Sequence, residues 1–174
     1  MIRLAFAAIL LFTSTAIAQE AEGDPPMTLD RLEEIVLRLD PEAQRQGPAI
    51  QFSIEDVPVL IVTDERADRM RAMTPIRSAD ALAPEELARM MQANFDTALD
   101  ARYAIANGRL WSAFIHPLAP LEREQFISAV GQVVNLALTY GSLYSGGGLA
   151  FGGGDSGDLQ RALIEELLKK GEPI

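Results

Sequence analysis

The spacing of apolar positions changes several times along the chain, and each change marks an element. After Met1-Ile2-Arg3, Leu4 to Phe12 is an unbroken apolar run, followed by Thr13-Ser14-Thr15 and Ala16-Ile17-Ala18. A positive start, an apolar core and a small-x-small site predict a secretory signal peptide over residues 1–18, cut before Gln19. The run is far short of the roughly 20 residues a spanning helix needs, so no transmembrane span is expected after cleavage. The expected location is the periplasm or outside the cell. Residues 19–26 are acidic, small and proline-bearing, and predict a leader. Thr28 then fits an N-cap, Leu29, Leu32, Val36 and Leu39 recur at helical spacing, and Pro41 closes the first helix.

The period next falls to two. Ile50, Phe52 and Ile54 alternate with Gln51 and Ser53, as in a half-buried strand. Glu55-Asp56 predicts a turn into a continuous apolar strand from Val57 to Val62, where Pro58 suggests an edge or a strand start. A polar loop at Asp64 to Asp68 leads to a third strand from about Arg69 to Ile76, completing an antiparallel meander. Pro84, Glu85 and Glu86 suit the start of a second helix. Leu87, Met90, Met91, Asn94, Phe95 and Ala98 predict its buried face. Asn107-Gly108, between Tyr103–Ala106 and Arg109–His116, is the pair a type I′ hairpin turn prefers. A third helix is expected from about Leu121 to Tyr140. Gly141 to Gly157, rich in glycine and serine, predicts a flexible tether. Asp158 caps a last amphipathic helix with Leu159, Leu163, Ile164, Leu167 and Leu168 on one stripe.

The expected fold is a two-layer α+β domain, α-β-β-β-α-β-β-α, with an antiparallel sheet. Its segments are the signal peptide at 1–18, the leader at 19–26, the domain at 27–141, a linker at 142–157 and the C-terminal helix at 158–174.

Composition narrows the chemistry. There is no cysteine and a single histidine, so disulfides, thiolate metal sites and a cysteine nucleophile are excluded. A formal charge of −10 argues against nucleic acid as a partner. Gly154-Asp155-Ser156-Gly157 is similar to the nucleophile motif of chymotrypsin-like proteases, but the only histidine is His116, and no suitable orienting acid lies between it and Ser156. His116 is expected at a strand end near the surface, since one histidine cannot build a typical zinc site. Asp64, Glu65 and Asp68 lack the spacing and glycine of a calcium loop. The glycine run lacks the Lys-Ser/Thr of a phosphate loop. Arg66, Arg69, Arg71 and Arg77 form a local basic patch, expected to be a strand edge defended by charge, the alternative being contact with an acidic partner or lipid headgroups. No catalytic residue, metal or cofactor is predicted.

The stretch Leu87-x-x-Met90-Met91-x-Ala93-Asn94-Phe95, the segment Tyr103 to Trp111, Pro117-Leu118-x-x-Leu121 and the apolar helix from Phe126 to Leu138 together resemble the type III secretion chaperone-like fold. That group includes the Tir chaperones and the YbjN-type proteins. The resemblance covers roughly residues 27 to 141. It implies a non-enzymatic, commonly dimeric domain that binds other polypeptides through apolar surface. The signal peptide and the glycine tether with its terminal helix depart from the group.

One pattern bears directly on binding. Residues 125 to 154 contain no charged side chain, and the third helix carries apolar residues over an arc of roughly 200°, twice the width of about 100° that one buried face needs. Trp111, Phe126, Val130, Val134 and Leu138 are the expected partner or dimer interface. Leu159, Leu163 and Leu167 mark the terminal helix as a docking element. Three covers fit the excess: a second copy, a protein client in the envelope, or the terminal helix itself. The expected function is a chaperone-like or adaptor protein-binding domain of the cell envelope, acting as a homodimer. The alternatives are a regulatory or structural envelope component working through its C-terminal helix, or a serine or metal-dependent hydrolase.

Overall fold

A computed structural model describes residues 25–142, apart from 97 and 98, and residues 157–172. The expected signal peptide, the Gly/Ser-rich linker and Ser156 fall outside the described residues. Helix α1 spans Leu29–Leu39, and Thr28 caps it by accepting the Arg31 N–H on its hydroxyl at 3.2 Å. Strands β1 (Gln44–Gln46), β2 (Ala49–Ile54), β3 (Val57–Asp64) and β4 (Arg69–Ser78) follow. Helix α2 (Pro84–Asp96), strands β5 (Arg102–Ala106) and β6 (Arg109–His116), and helices α3 (Arg123–Thr139) and α4 (Gly157–Lys170) complete the chain. None of the described helices is long and apolar enough to cross a membrane.

The six strands form one antiparallel sheet in the order β1-β2-β3-β4-β6-β5. Both predicted tight turns are present, with positive φ at Glu55 and Asp56 and at Asn107 and Gly108, the backbone a type I′ hairpin requires. The short strand β1 is an addition to the expected order. Gln44, Arg45 and Gln46 are all exposed and offer no apolar alternation; Gly47, at φ +57°, turns the chain back on β2.

Strand β4 is central, between β3 and β6, so its arginines do not defend a sheet edge as the sequence predicts. A register shift between Pro75 and Arg77 also divides the basic patch. Arg69 and Arg71 are exposed on β4, in line with Met73 and Pro75. Beyond the shift, Arg77 lies against the Tyr140 ring and near Glu86.

Ile50, Phe52, Ile54, Val59, Ile61, Met70, Ala72, Leu110 and Phe114 line the inner face of the sheet and pack beneath α1 and α3. Across β4, β6 and β5, Thr74 pairs with Ser112 and Ser112 with Tyr103. The Thr74 and Ser112 hydroxyls are buried there without a hydrogen-bond partner. Desolvating an unpaired hydroxyl costs roughly 1–3 kcal/mol. Thr74→Val, which keeps the side-chain shape, is therefore expected to raise stability by about 1 kcal/mol in urea unfolding; a loss of that size would show the hydroxyl to be paired.

Of the three covers expected for helix α3, the structure supplies the terminal helix. Phe126, Ile127, Val130, Val133 and Val134 have no exposed surface at all. Its far side is closed by the chain itself, because α4 lies antiparallel along it. Buried Asn135 donates to Gln160 at 3.3 Å, Gly131 abuts Ile164, and Arg123 donates to the Gly171 carbonyl at 2.6 Å. The two helix backbones approach closely because Gly131 and Gly171 carry no Cβ. A methyl group on Gly131 would fall 2.6 Å from Ile164 Cγ1, and one on Gly171 would fall 2.4 Å from Ile127 Cδ1. The polar side of α3 is also used: Gln132 Oε1 accepts the Asp100 and Ala101 N–H groups at 2.8 and 3.0 Å, just before β5. Thus the wide apolar arc reflects a helix enclosed by its own chain.

Candidate protein-binding surfaces

Two apolar surfaces remain uncovered among the described residues. The first is the outer face of the sheet. Helices α1 and α3 pack on the inner face, so the outward residues of β3, β4 and β6 have no layer above them. A solvated antiparallel face normally reads polar. Here Leu60, Val62, Met73, Pro75, Trp111 and Ala113 are only half-buried, and Ile115 is 58% exposed. The pairing registers place Leu60, Met73 and Ala113 on one rung across three strands, with Pro75 beside Trp111 on another. Trp111 is held in place by its indole N–H, which donates to the Ala106 carbonyl at 3.2 Å. A recess of about 860 Å³ opens beside it, bounded by Leu60, Pro75 and the loop after α1.

The second surface is on α2. Its inward residues are Met90 and Ala93, both buried, with Asn94 half-buried. Asn94 binds the edge of the sheet twice, accepting the Tyr103 N–H at 2.7 Å and donating to the Tyr103 carbonyl at 3.2 Å. At the other end, the Tyr140 hydroxyl donates to Glu86 at 2.8 Å, and Arg77 stands 3.8 Å from the same carboxylate. The Ala83 N–H first, then Tyr140 and Arg77, hold the Glu86 carboxyl below its usual range. Fixed at both ends, the helix turns Leu87, Met91 and Phe95 outward; Met91 is 61% and Phe95 77% exposed. The sequence pattern places all three in the core, so this is a correction. Their spacing of four and four already separates them from the line through Met90, Ala93 and Asn94. What turns α2 is the side-chain bond from Asn94 to the main chain of β5, which hydropathy does not register. Ala98 falls outside the described residues.

The predicted interface residues separate accordingly. Trp111 lies on the open sheet face, and Leu138 is 52% exposed near the end of α3. Phe126, Val130 and Val134 are core residues with no surface to offer a partner. On α4, Leu167 is buried against α3, Leu163 is half-buried and Leu159 is exposed. Leu60, Val62, Met73 and Pro75 carry no motif that marks them as a site. The unbroken apolar run of β3 was the available signal, since apolar residues on both sides of a strand imply two occupied faces.

His116 ends β6, half-buried, with its ring stacked on Phe114 and its Nδ1 2.8 Å from the Pro117 carbonyl. In the polar loop, the Asp68 carboxylate accepts the Ala119 N–H at 2.7 Å and the Asp64 carboxylate accepts the Ala67 N–H at 3.0 Å. The described residues contain no group of acids and histidine arranged to hold a metal.

No family model matches the chain, and no curated protein matches it. Solved structures do. The type III secretion chaperone SycH of Yersinia pestis, solved in complex with a stable fragment of YscM2, matches with a TM-score of 0.50 at 17% identity, over 65% of this chain and 99% of that one. A chain of the HopA1–SchA chaperone–effector complex matches with a TM-score of 0.47 at 12% identity, over 66% of this chain and 98% of its own. The chain has the type III secretion chaperone-like fold that its helix, hairpin and Pro-Leu pattern implies.

Proposed function

We propose, with that fold as the premise, that the chain is a non-enzymatic, chaperone-like protein-binding domain that works outside the cytoplasm as a homodimer. The observation that carries the reading is the uncovered apolar sheet face around Trp111. At roughly 25 cal/mol per Å², shielding several such side chains from water favours association by some kcal/mol. The outward stripe Leu87, Met91 and Phe95 supports pairing with a second copy, because a stripe of this kind can meet its own symmetry mate across a two-fold axis. Export rests on the pattern of residues 1–18. SycH supports the client-binding role by analogy, since it was solved with a fragment of another protein.

Light scattering on the purified chain tests the pairing. The expected result is a dimer that Phe95→Asp converts to a monomer with an unchanged circular dichroism spectrum, since an exposed substitution shifts stability by only about 0.5 kcal/mol. A photo-crosslinking residue at position 111 is expected to capture an envelope protein, and the same residue at exposed Glu34 is not. A chain monomeric throughout, with no adduct specific to position 111, would overturn the reading.

A further inference from the structure

We infer that the open sheet face is electrically polarised along its strands and fits a client segment bearing basic residues at one end of a short apolar run and acidic residues at the other. The inference rests on the proposed binding role and adds the chemistry of the partner.

Charge is distributed unevenly about this face. At the Trp111 end, the recess beside Leu60 and Pro75 is bordered by Asp40, Glu42, Glu55 and Asp56, and no lysine or arginine lines it; the one arginine on β6 at this end, Arg109, is exposed beyond Trp111 beside Ser78, outside the recess. Asp40 is fixed as a carboxylate acceptor, taking the Glu42 N–H at 2.9 Å and the Ser53 N–H at 2.8 Å. The nearby Arg45 is turned away, paired with Asp30 and Glu33 of α1 at 2.6 and 2.7 Å. At the opposite end of β3 and β4, a second recess of about 470 Å³ holds Val62, Met73 and Ile115 with Arg69 and Arg71, against the single carboxylate of Asp64. Arg71 sits in register between Val62 and Ile115, within the apolar surface.

The two ends are separated by the span from Pro58 to Val62, about 13 Å at the usual rise of a strand. A partner meets both if its charges flank roughly four extended residues or about nine helical ones. The central rung of Leu60, Met73 and Ala113 receives the apolar residues between. Exposed charges are screened over about 8–10 Å at ordinary ionic strength, so the polarity governs selection and approach more than total affinity.

Trp111 is the only tryptophan in the chain and sits on this face, so its fluorescence reports occupancy directly. Four synthetic peptides sharing one apolar centre are titrated against the full chain, with Lys-Lys and Glu-Glu flanks, Lys-Lys at both ends, Glu-Glu at both ends, or Gln-Gln at both ends. The expected result is that the mixed-charge peptide binds about tenfold tighter than the glutamine peptide at low salt, a gap that closes at high salt. Arg69→Glu combined with Arg71→Glu is expected to shift the preference to the peptide basic at both ends, with unfolding unchanged. Four equal affinities, each with a Trp111 response, overturn the polarity while the binding role stands. A Trp111 that is already shielded from quenchers and answers no peptide overturns both, and assigns the face to residues of this chain or a second copy.

Discussion

Phe126→Ala is expected to lower the unfolding free energy by about 3–5 kcal/mol, the range for truncating a fully enclosed phenylalanine. Phe126 has no exposed surface and belongs to the one core cluster that joins the sheet to α3. Its loss leaves a cavity that the surrounding core fills only in part. The measurement is urea unfolding, and the diagnostic is the contrast with Trp111→Ala. Trp111 is half-exposed, so its removal is expected to lower client binding while moving the midpoint far less. If Phe126→Ala unfolds within 1 kcal/mol of the parent, α3 is not enclosed as described.

Gly131→Leu carries the second large effect. Even a methyl at this position meets Ile164 at 2.6 Å, and the Ile164 main chain is only 3.5 Å away, so a leucine cannot be seated by rotating a side chain. Overpacking of a tight contact costs typically 1–3 kcal/mol, which exceeds the roughly 1 kcal/mol that leucine gains over glycine in helix propensity. The outcome expected is a detached α4. Amide exchange over residues 157–171 rises to that of an unfolded segment, while the strands stay protected. Gly131→Ala is the milder companion, because the propensity gain offsets much of the strain. Unchanged protection of residues 157–171 in the leucine variant would falsify the close approach of the two helices.

Local pattern made most of the elements legible. Two turns with residues tolerant of positive φ, a capped first helix and the switch between periods of 3.6 and 2 place nearly every strand and helix. Two features escaped and a third stayed open among three covers, for separate reasons. Strand β1 has no apolar residue and exists because Gly47 folds it against β2. The rotation of α2 depends on one amide of Asn94 reaching the main chain of Tyr103. The closing of α3 requires a helix separated from it by many residues, matched through a glycine, and periodicity measures how much surface a helix must hide without saying what hides it. Hence Phe126, Val130 and Val134 read as an interface when they are core, and Phe95 reads as core when it is surface. Trp111 lies opposite the buried Leu110 and Phe114 because strand alternation is local and strict.

Each border of the sheet is blocked at one point against a further strand. On one side β1 is three polar residues long, and beyond it Asp40 occupies the Ser53 N–H. On the other, Asn94 consumes the outward main-chain groups of Tyr103. A broad oily sheet would otherwise invite end-on growth into fibrils. With its margins interrupted at these points, the sheet offers a visitor side chains above the plane more readily than a long ladder of amides at its edge. Contact of that kind tolerates varied sequences and parts without unzipping a ladder of amide bonds.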